Sequence, residues 1–331
     1  MQFLDNIFFA LLLAIGIGYF AINVKKLIRN IKLGHDVDRS DNASERWKNM
    51  TMVALGQSKM VKRPVAGFLH IIVYVGFVII NIEVIEIIID GLFGTHRVLS
   101  FMGGFYDVLI GSFEILAFLV LITVIIFWIR RNVTKLGRFA SSDLDGKPRN
   151  DANYILYFEV VLMSLFLLMN AADFHLQNLG IGHYNQAGSF PISQFIAPMF
   201  NGMSEGLVVI IERAAWWLHI AGILVFLNYL YFSKHLHILL AFPNTYFADL
   251  NAKGKLNNLE SVTNEVKLMM DPSADPFAAP ANPEAVPAKF GASDVQDLNW
   301  VQLLNAYSCT ECGRCTSSCP ANQTGKKLSP R

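Results

Sequence analysis

Long apolar runs separated by short polar ones dominate the first 245 residues. Five stretches, roughly 3–24, 65–90, 105–129, 152–173 and 206–233, reach the length that a helix needs to cross a hydrocarbon core. That length is about 20 residues for about 30 Å. Backbone groups cannot stay unpaired in lipid, so the stretches are predicted to be helices rather than isolated strands. The polar pieces between them alternate in basic content. Loop 24–64 carries ten Lys or Arg, loop 91–104 carries one, loop 130–151 carries six and loop 173–205 carries none. This bias predicts an N-terminus facing outward and everything after Lys234 in the cytoplasm. The first run, "IFFALLLAIGIGYFAINV", has no basic residue before it and no small-residue cleavage signal after it, so it reads as a retained span.

The pattern changes after residue 245. "LNNLESVTNEVKLMM" predicts a short helix. "DPSADPFAAPANPEAVPAKFGAS" carries Pro272, Pro276, Pro280, Pro283 and Pro287. Proline at that density blocks regular helix and favours an extended tether. "SDVQDLNWVQLLNAYS" restarts a helix, with Ser293 or Asp294 as its cap and Trp300, Leu303, Leu304 and Tyr307 on one face. The expected fold class is an all-α membrane protein: a five-helix transmembrane bundle (1–245), a cytoplasmic helix and Pro-rich linker (246–292), and a small ferredoxin-like, α-helical iron–sulfur segment (293–331).

Composition supports that division. Of 331 residues 53% are apolar and 16% charged, against about 25% charged in soluble proteins. The net charge of +1 gives no electrostatic preference for nucleic acid. All four cysteines, Cys309, Cys312, Cys315 and Cys319, lie in the closing stretch. Disulfide frameworks spread their cysteines to close loops, and a cytoplasmic tail is reducing, so a thiol role is expected.

The spacing C-x2-C-x2-C-x3-C-P is that of a run holding a [4Fe-4S] cluster. Soft thiolates suit iron–sulfur chemistry. Two-residue gaps aim successive sulfurs at the corners of a small cube, Gly313 frees the loop and Pro320 turns the chain away. Zinc sites usually pair two C-x2-C units across a longer finger or add histidine, and no second unit is present. In two-cluster ferredoxins the fourth cysteine of each run serves the other cluster. On that reading Cys319 awaits a second run, and the sequence is one half of a longer electron-transfer domain. The alternative is a single cluster on all four cysteines.

Eight histidines are spread along the chain. His35, His96 and His183 fall in loops and read as solvated. His219 and His237 are 18 residues apart, which on a continuous helix puts them on one face about 27 Å apart. His235 is turned away from that face. Such a pair suits two b-type haems, one near each side of the bilayer. His70 lies seven residues past Arg63, at the depth of His237, so His70 and His237 are the expected inner ligand pair. His219 would serve an outer haem with His175, or next His96, as partner. The competing reading is histidine as interhelical hydrogen-bonding glue. Glu83, Glu86, Glu114, Glu159 and Glu212 lie in or near spans. They read as paired or interfacial acids, Glu212 with Arg213, or as proton-transfer groups at a quinone pocket.

The run "WWLHIAGILVFLNYLYFSKHLHILLAFP", with five spans and a cytoplasmic C-terminus, resembles the cytochrome b (gamma) subunit of respiratory nitrate reductase and the membrane subunits of heterodisulfide-reductase-like complexes. His219 and His237 match that family's two haem ligands on the fifth helix. The tether and "SCTECGRCTSSCPANQTGKKLSPR" resemble iron–sulfur subunits of heterodisulfide reductase and related oxidoreductases. The whole chain thus looks like a fusion of the two. The gamma subunit carries two histidines ten residues apart on its second helix. Here only His70 matches, with Ile80 ten residues later and Met60 ten earlier, so a second haem would need an unusual ligand such as Met60. Cysteine-rich CCG domains are absent from this sequence.

The resemblance implies membrane-bound electron transfer between a cytoplasmic redox partner and the quinone pool, through one or two [4Fe-4S] clusters and one or two b-type haems. The implied location is the bacterial inner membrane, in contact with lipid and quinone. The implied partner is a flavoprotein or a CCG-domain iron–sulfur subunit. The rival reading is a haem-free membrane anchor or redox sensor carrying a cluster. A transporter is less consistent, because the spans lack paired Gly/Pro-broken helices.

Overall fold

The structure, a computed structural model, describes all residues except 1, 140, 183, 253, 256–257, 274–288, 329 and 331. His183 and the tether prolines Pro276, Pro280, Pro283 and Pro287 therefore lie outside the described residues. Among the described residues the regular structure is helical and contains no strand, only a lone bridge between His35 and Asn299. In chain order the helices are α1 (Gln2–Ile31), α2 (Ala43–Met50), α3 (Pro64–Phe93), α4 (Gly104–Asn132), α5 (Lys147–Leu179), α6 (Ser193–Ile196), α7 (Glu205–Tyr229), α8 (His237–Tyr246), α9 (Glu260–Met270), α10 (Trp300–Tyr307), α11 (Arg314–Ser318) and α12 (Pro320–Gln323). Five of them, α1, α3, α4, α5 and α7 with its continuation to Phe232, are long and apolar enough to cross a membrane.

These helices run past the apolar stretches of the sequence, because main-chain hydrogen bonding continues into polar flanks. Helix α1 reaches Ile31 with Arg29 in its last turn, where a cation complements the helix dipole. Helix α3 starts on Pro64 after an extended Arg63 (φ −117°, ψ 90°) and stops at Gly94, left-handed at φ +69°.

The chain forms two compact units. One comprises Met1–Val24, Gly56–Ile238 and Cys309–Arg331, and the other Lys25–Leu55 and Leu239–Ser308. In the first unit, α3 packs on α4, α4 on α5 and α5 on α7. Phe9 of α1 meets Trp216 of α7 at 5.3 Å between ring centroids, and Asn228 donates to the Gly16 carbonyl at 3.0 Å. A side chain at Gly76 would lie 2.5 Å from Val120, so the missing Cβ lets α3 and α4 approach closely. Ile110, Phe113, Phe166 and Phe200 fill the interior, while Ile15 and Phe68 face outward.

In the second unit, the helix expected from Ser293 onward has two separate starts. Asp294 caps a 3-10 turn, Val295–Asp297, in a reciprocal capping box. Leu298 is then extended (φ −92°, ψ 150°), and Asn299 begins α10 in a second box with Gln302. Trp300 donates its ring N–H to the Val37 carbonyl at 3.0 Å, and Asn30 donates to the Tyr307 hydroxyl at 3.1 Å. Arg46 is buried and donates to the carbonyls of Tyr246 (3.2 Å) and Ala248 (2.9 Å). Segment 293–308 thus belongs to this unit and 309–331 to the first, a division that spacing along the chain does not reveal.

Candidate functional site

The path after α7 decides the histidine geometry. Helix α7 tightens into a 3-10 turn (Leu230–Phe232) and breaks at Ser233, which is extended (φ −118°, ψ 150°). The break is well satisfied. Ser233 Oγ accepts from His235 N at 3.1 Å, while Asp151 accepts from Lys234 N at 3.0 Å and from the Tyr229 hydroxyl at 2.6 Å. A second 3-10 turn, Lys234–Leu236, leads into α8. His219 and His237 are therefore not on one continuous helix, and their same-face arithmetic does not hold. Ser233 is a good cap residue, a signal already present in "YFSKHLH".

The break turns His237 toward His70, with 6.5 Å between ring centroids and 43° between planes. Two imidazoles sharing one iron need about this separation, given metal–nitrogen bonds of about 2 Å on each side. Nδ1 of His237 is 3.0 Å from the Lys234 carbonyl, which leaves Nε2 available. Nδ1 of His70 is buried without a hydrogen-bond partner. His235, expected to point away, lies 5.5 Å from His237 in a T-shaped contact. Burial, and then the charge of His237, lower its pKa to about 3. Burial also lowers that of His237 against the Lys234 carbonyl. Both effects favour neutral imidazole, the form that binds metals.

His219 is buried and its Nδ1 is 3.0 Å from the Leu162 carbonyl, the anchoring that a ligand histidine uses. Its ring meets Phe166 at 5.7 Å, whereas His175 meets Phe200 at 5.9 Å and His96 meets Tyr184 at 5.2 Å. The structure thus brings His70 and His237 together and gives His219, His175 and His96 separate aromatic partners.

The cysteine segment packs against the same end of the bundle. Gly313 is left-handed (φ +69°), and a Cβ there would fall 2.5 Å from the Arg138 carbonyl. Glu311, between the first two cysteines, is also left-handed (φ +48°) and accepts from Lys234 Nζ at 2.7 Å. Arg63 donates to Ser317 Oγ at 3.0 Å. Arg314 donates from Nε to Cys312 Sγ at 3.1 Å and from Nη1 to Met60 Sδ at 3.6 Å. Met60 therefore sits beside the cysteines. Burial opposes ionisation of Cys312, but hydrogen bonds from Arg314 and Thr310 outweigh it and lower the thiol pKa.

Cys309 and Cys315 are exposed, and Cys312 and Cys319 half-buried. Among the described residues no three His, Cys, Asp or Glu side chains converge on one metal position. The donor set still fits an iron–sulfur group: four soft thiols with arginine and lysine side chains around them.

Sequence reasoning missed a second polar centre, at the far end of the bundle. His96, expected to be solvated, is only 16% exposed and lies 3.6 Å from Asp173. Arg97 is buried, donates from Nε to Asp173 at 2.6 Å, and reaches Asn170 (3.1 Å) and the Tyr106 hydroxyl (3.2 Å). Tyr106 in turn donates to Glu86 at 3.0 Å. Burial opposes the charge on Arg97, but Asp173, Tyr106 and Glu83 raise its pKa above the usual value. Glu212 pairs with Arg213, as the sequence suggests, and also accepts from Tyr184 at 2.9 Å. The available signal was one arginine in an otherwise uncharged turn opposite one aspartate near the end of an apolar run.

No family model and no solved structure matches the sequence. It is 32% identical over 326 residues to a Bacillus subtilis protein named a probable iron-sulfur-binding oxidoreductase, FadF, covering 98% of this chain and 41% of that protein. It is 26% identical over 303 residues to the EtfAB:quinone oxidoreductase of Syntrophomonas wolfei, covering 89% of this chain and 38% of that protein. The chain thus spans about two fifths of the length of the curated relatives it matches.

Proposed function

We propose that this chain is a membrane-bound electron-transfer protein that passes electrons between a cytoplasmic redox partner and the quinone pool. The observation that carries the reading is the packing of the cysteine segment, through Arg314, Lys234 and Arg63, onto the end of the bundle that holds His70 and His237. The two relatives support it, one named iron-sulfur-binding and the other an EtfAB:quinone oxidoreductase.

On this reading Cys309, Cys312, Cys315 and Cys319 hold [4Fe-4S] iron, His70 and His237 hold a b-type haem, and His219 is the ligand for a second. Bound iron groups supply one-electron carriage that side chains lack. The residues themselves do the positioning. The Lys234 carbonyl and the Leu162 carbonyl fix the ring orientations of His237 and His219. Arg314 stabilises negative charge on Cys312. Lys234 ties Glu311 to the break after α7. The basic-residue bias supports an outward N-terminus and a cytoplasmic cysteine segment. On this reading the membrane is the bacterial inner membrane, and the redox partner is a flavoprotein or a CCG-domain subunit.

The test is a reduced-minus-oxidised absorbance spectrum of the purified chain together with iron counting. A b-type signal lost in His70→Ala and His237→Ala, with the cluster retained, is expected. Haem content unchanged by both substitutions would sink the ligand pairing. Loaded protein without any haem signal would instead favour the cluster-bearing anchor or sensor.

A further inference from the structure

The end of the bundle that carries the cysteine segment gathers arginines with few free acids. Arg130 and Arg131 close α4, Arg138 lies in a 3-10 turn (Gly137–Phe139), and Arg149 lies in the first turn of α5, which holds no acid. All four are half-buried. Arg131 and Arg138 both stack on the Phe139 ring, at 4.4 and 4.6 Å from its centroid. Arg149 is in electrostatic reach of Arg131, and Arg63, Arg130 and Arg314 are in reach of Arg138.

The acids nearby are already engaged. Asp151 accepts from the Tyr229 hydroxyl and from Lys234 N, and Glu311 accepts from Lys234 Nζ. Among the described residues no ion pair involves Arg130, Arg131, Arg138 or Arg149. Arg138 Nε is buried with no hydrogen-bond partner. The C-terminus of α4 favours cations, which accounts for Arg130 and Arg131 but not for Arg138 beyond it or Arg149 at the positive end of α5. Half-buried guanidiniums that repel one another are costly without a counter-ion. The surface beside them is apolar. Phe118, Ile122, Ile125 and Ile129 recur every three or four residues on α4, each 39–42% exposed, and form one outward stripe that runs up to Arg130. Cations at the end of an apolar stripe match a phosphate joined to a hydrocarbon chain.

We propose that Arg130, Arg131, Arg138 and Arg149 bind the phosphate of an anionic phospholipid, with an acyl chain along the α4 stripe, and that the bound lipid steadies the turn on which the cysteine loop rests. The link to the cysteines is Arg138 itself. Its carbonyl is the atom that Gly313 approaches, while its side chain is left to the phosphate. Filling the site holds the 137–139 turn in place and with it the loop from Cys309 to Cys315. The inference rests on the reading of the bundle as membrane-spanning, and on none of its iron groups.

The full chain is placed in nanodiscs of phosphatidylcholine, alone or mixed with phosphatidylglycerol. Native mass spectrometry reads the lipid retained, and hydrogen exchange reads the amides of residues 309–315. Preferential retention of phosphatidylglycerol and slower exchange in the mixed discs are expected. Arg130→Gln and Arg149→Gln leave the Gly313 contact in place, and each should weaken that retention about fivefold, the ~1 kcal/mol of one basic residue at an anionic surface. Arg130→Lys should keep most of it. Lys267→Gln, exposed on α9, removes the same charge elsewhere and should change nothing. Equal retention of the two lipids by the wild-type chain, or wild-type retention in both glutamine variants, overturns the inference. Inorganic phosphate that slows exchange in pure phosphatidylcholine as much as phosphatidylglycerol does overturns the lipid assignment. A chain that stays folded and monomeric in water without detergent or lipid overturns the membrane reading itself.

Discussion

Arg314 donates its Nε–H to the sulfur of Cys312 at 3.1 Å while its Nη1 reaches the Met60 sulfur at 3.6 Å. One side chain thus links the second cysteine of the run to the residue that precedes α3 by four positions.

A cation donating to a ligand thiolate stabilises the more negative, reduced state of an iron–sulfur group. Arg314→Gln should lower the reduction potential. Loss of about 1 kcal/mol corresponds to about 40 mV for one electron. Potentiometric titration checks this, and an unchanged potential would show that the hydrogen bond does not act on the iron.

Lys234 and Glu311 pair at 2.7 Å with side chains only 8% and 21% exposed. Lys234→Glu should release the cysteine loop and speed amide exchange at residues 309–313. The charge swap Lys234→Glu with Glu311→Lys should restore part of the protection, with a coupling of about 1 kcal/mol. Hydrogen exchange read by mass spectrometry separates these results.

Gly313 combines a φ of +69° with the close Arg138 carbonyl. Gly313→Ala should cost about 1–2 kcal/mol in backbone strain before the clash is relieved. Iron content of the purified variant should fall well below wild type, and full loading would contradict the close packing.

Arg97→Met leaves Asp173 buried without its guanidinium and should destabilise the bundle by about 3–5 kcal/mol. Arg97→Met combined with Asp173→Leu should be milder than the single change. Thermal unfolding in detergent makes the comparison.

Asp297 accepts from Lys289 and from the N–H groups of Ser293 and Asp294, which hold its pKa below the usual carboxylate range. Its contribution is therefore present above a pH of about 4, the unfolded value, and lost as pH falls toward the folded one. Protection of the 293–298 amides should drop in acid, and Asp297→Asn should flatten that dependence.

The sequence by itself determined the five long helices, because a run of about 20 apolar residues has one low-energy form in lipid. It also gathered all four cysteines, Cys309, Cys312, Cys315 and Cys319, into one short segment, while contacts from Arg138, Lys234 and Arg63 set how that segment packs. Depth arithmetic paired His70 with His237, because rise per residue is local. The break at Ser233 was decided by tertiary structure: Asp151, far away in sequence, accepts the freed Lys234 N–H and makes an extended residue affordable there. The far-end centre was likewise decided by folding. Arg97, Asp173 and Tyr106 carry no shared pattern along the chain, and only the packing of α3, α4 and α5 brings their charges within hydrogen-bonding distance.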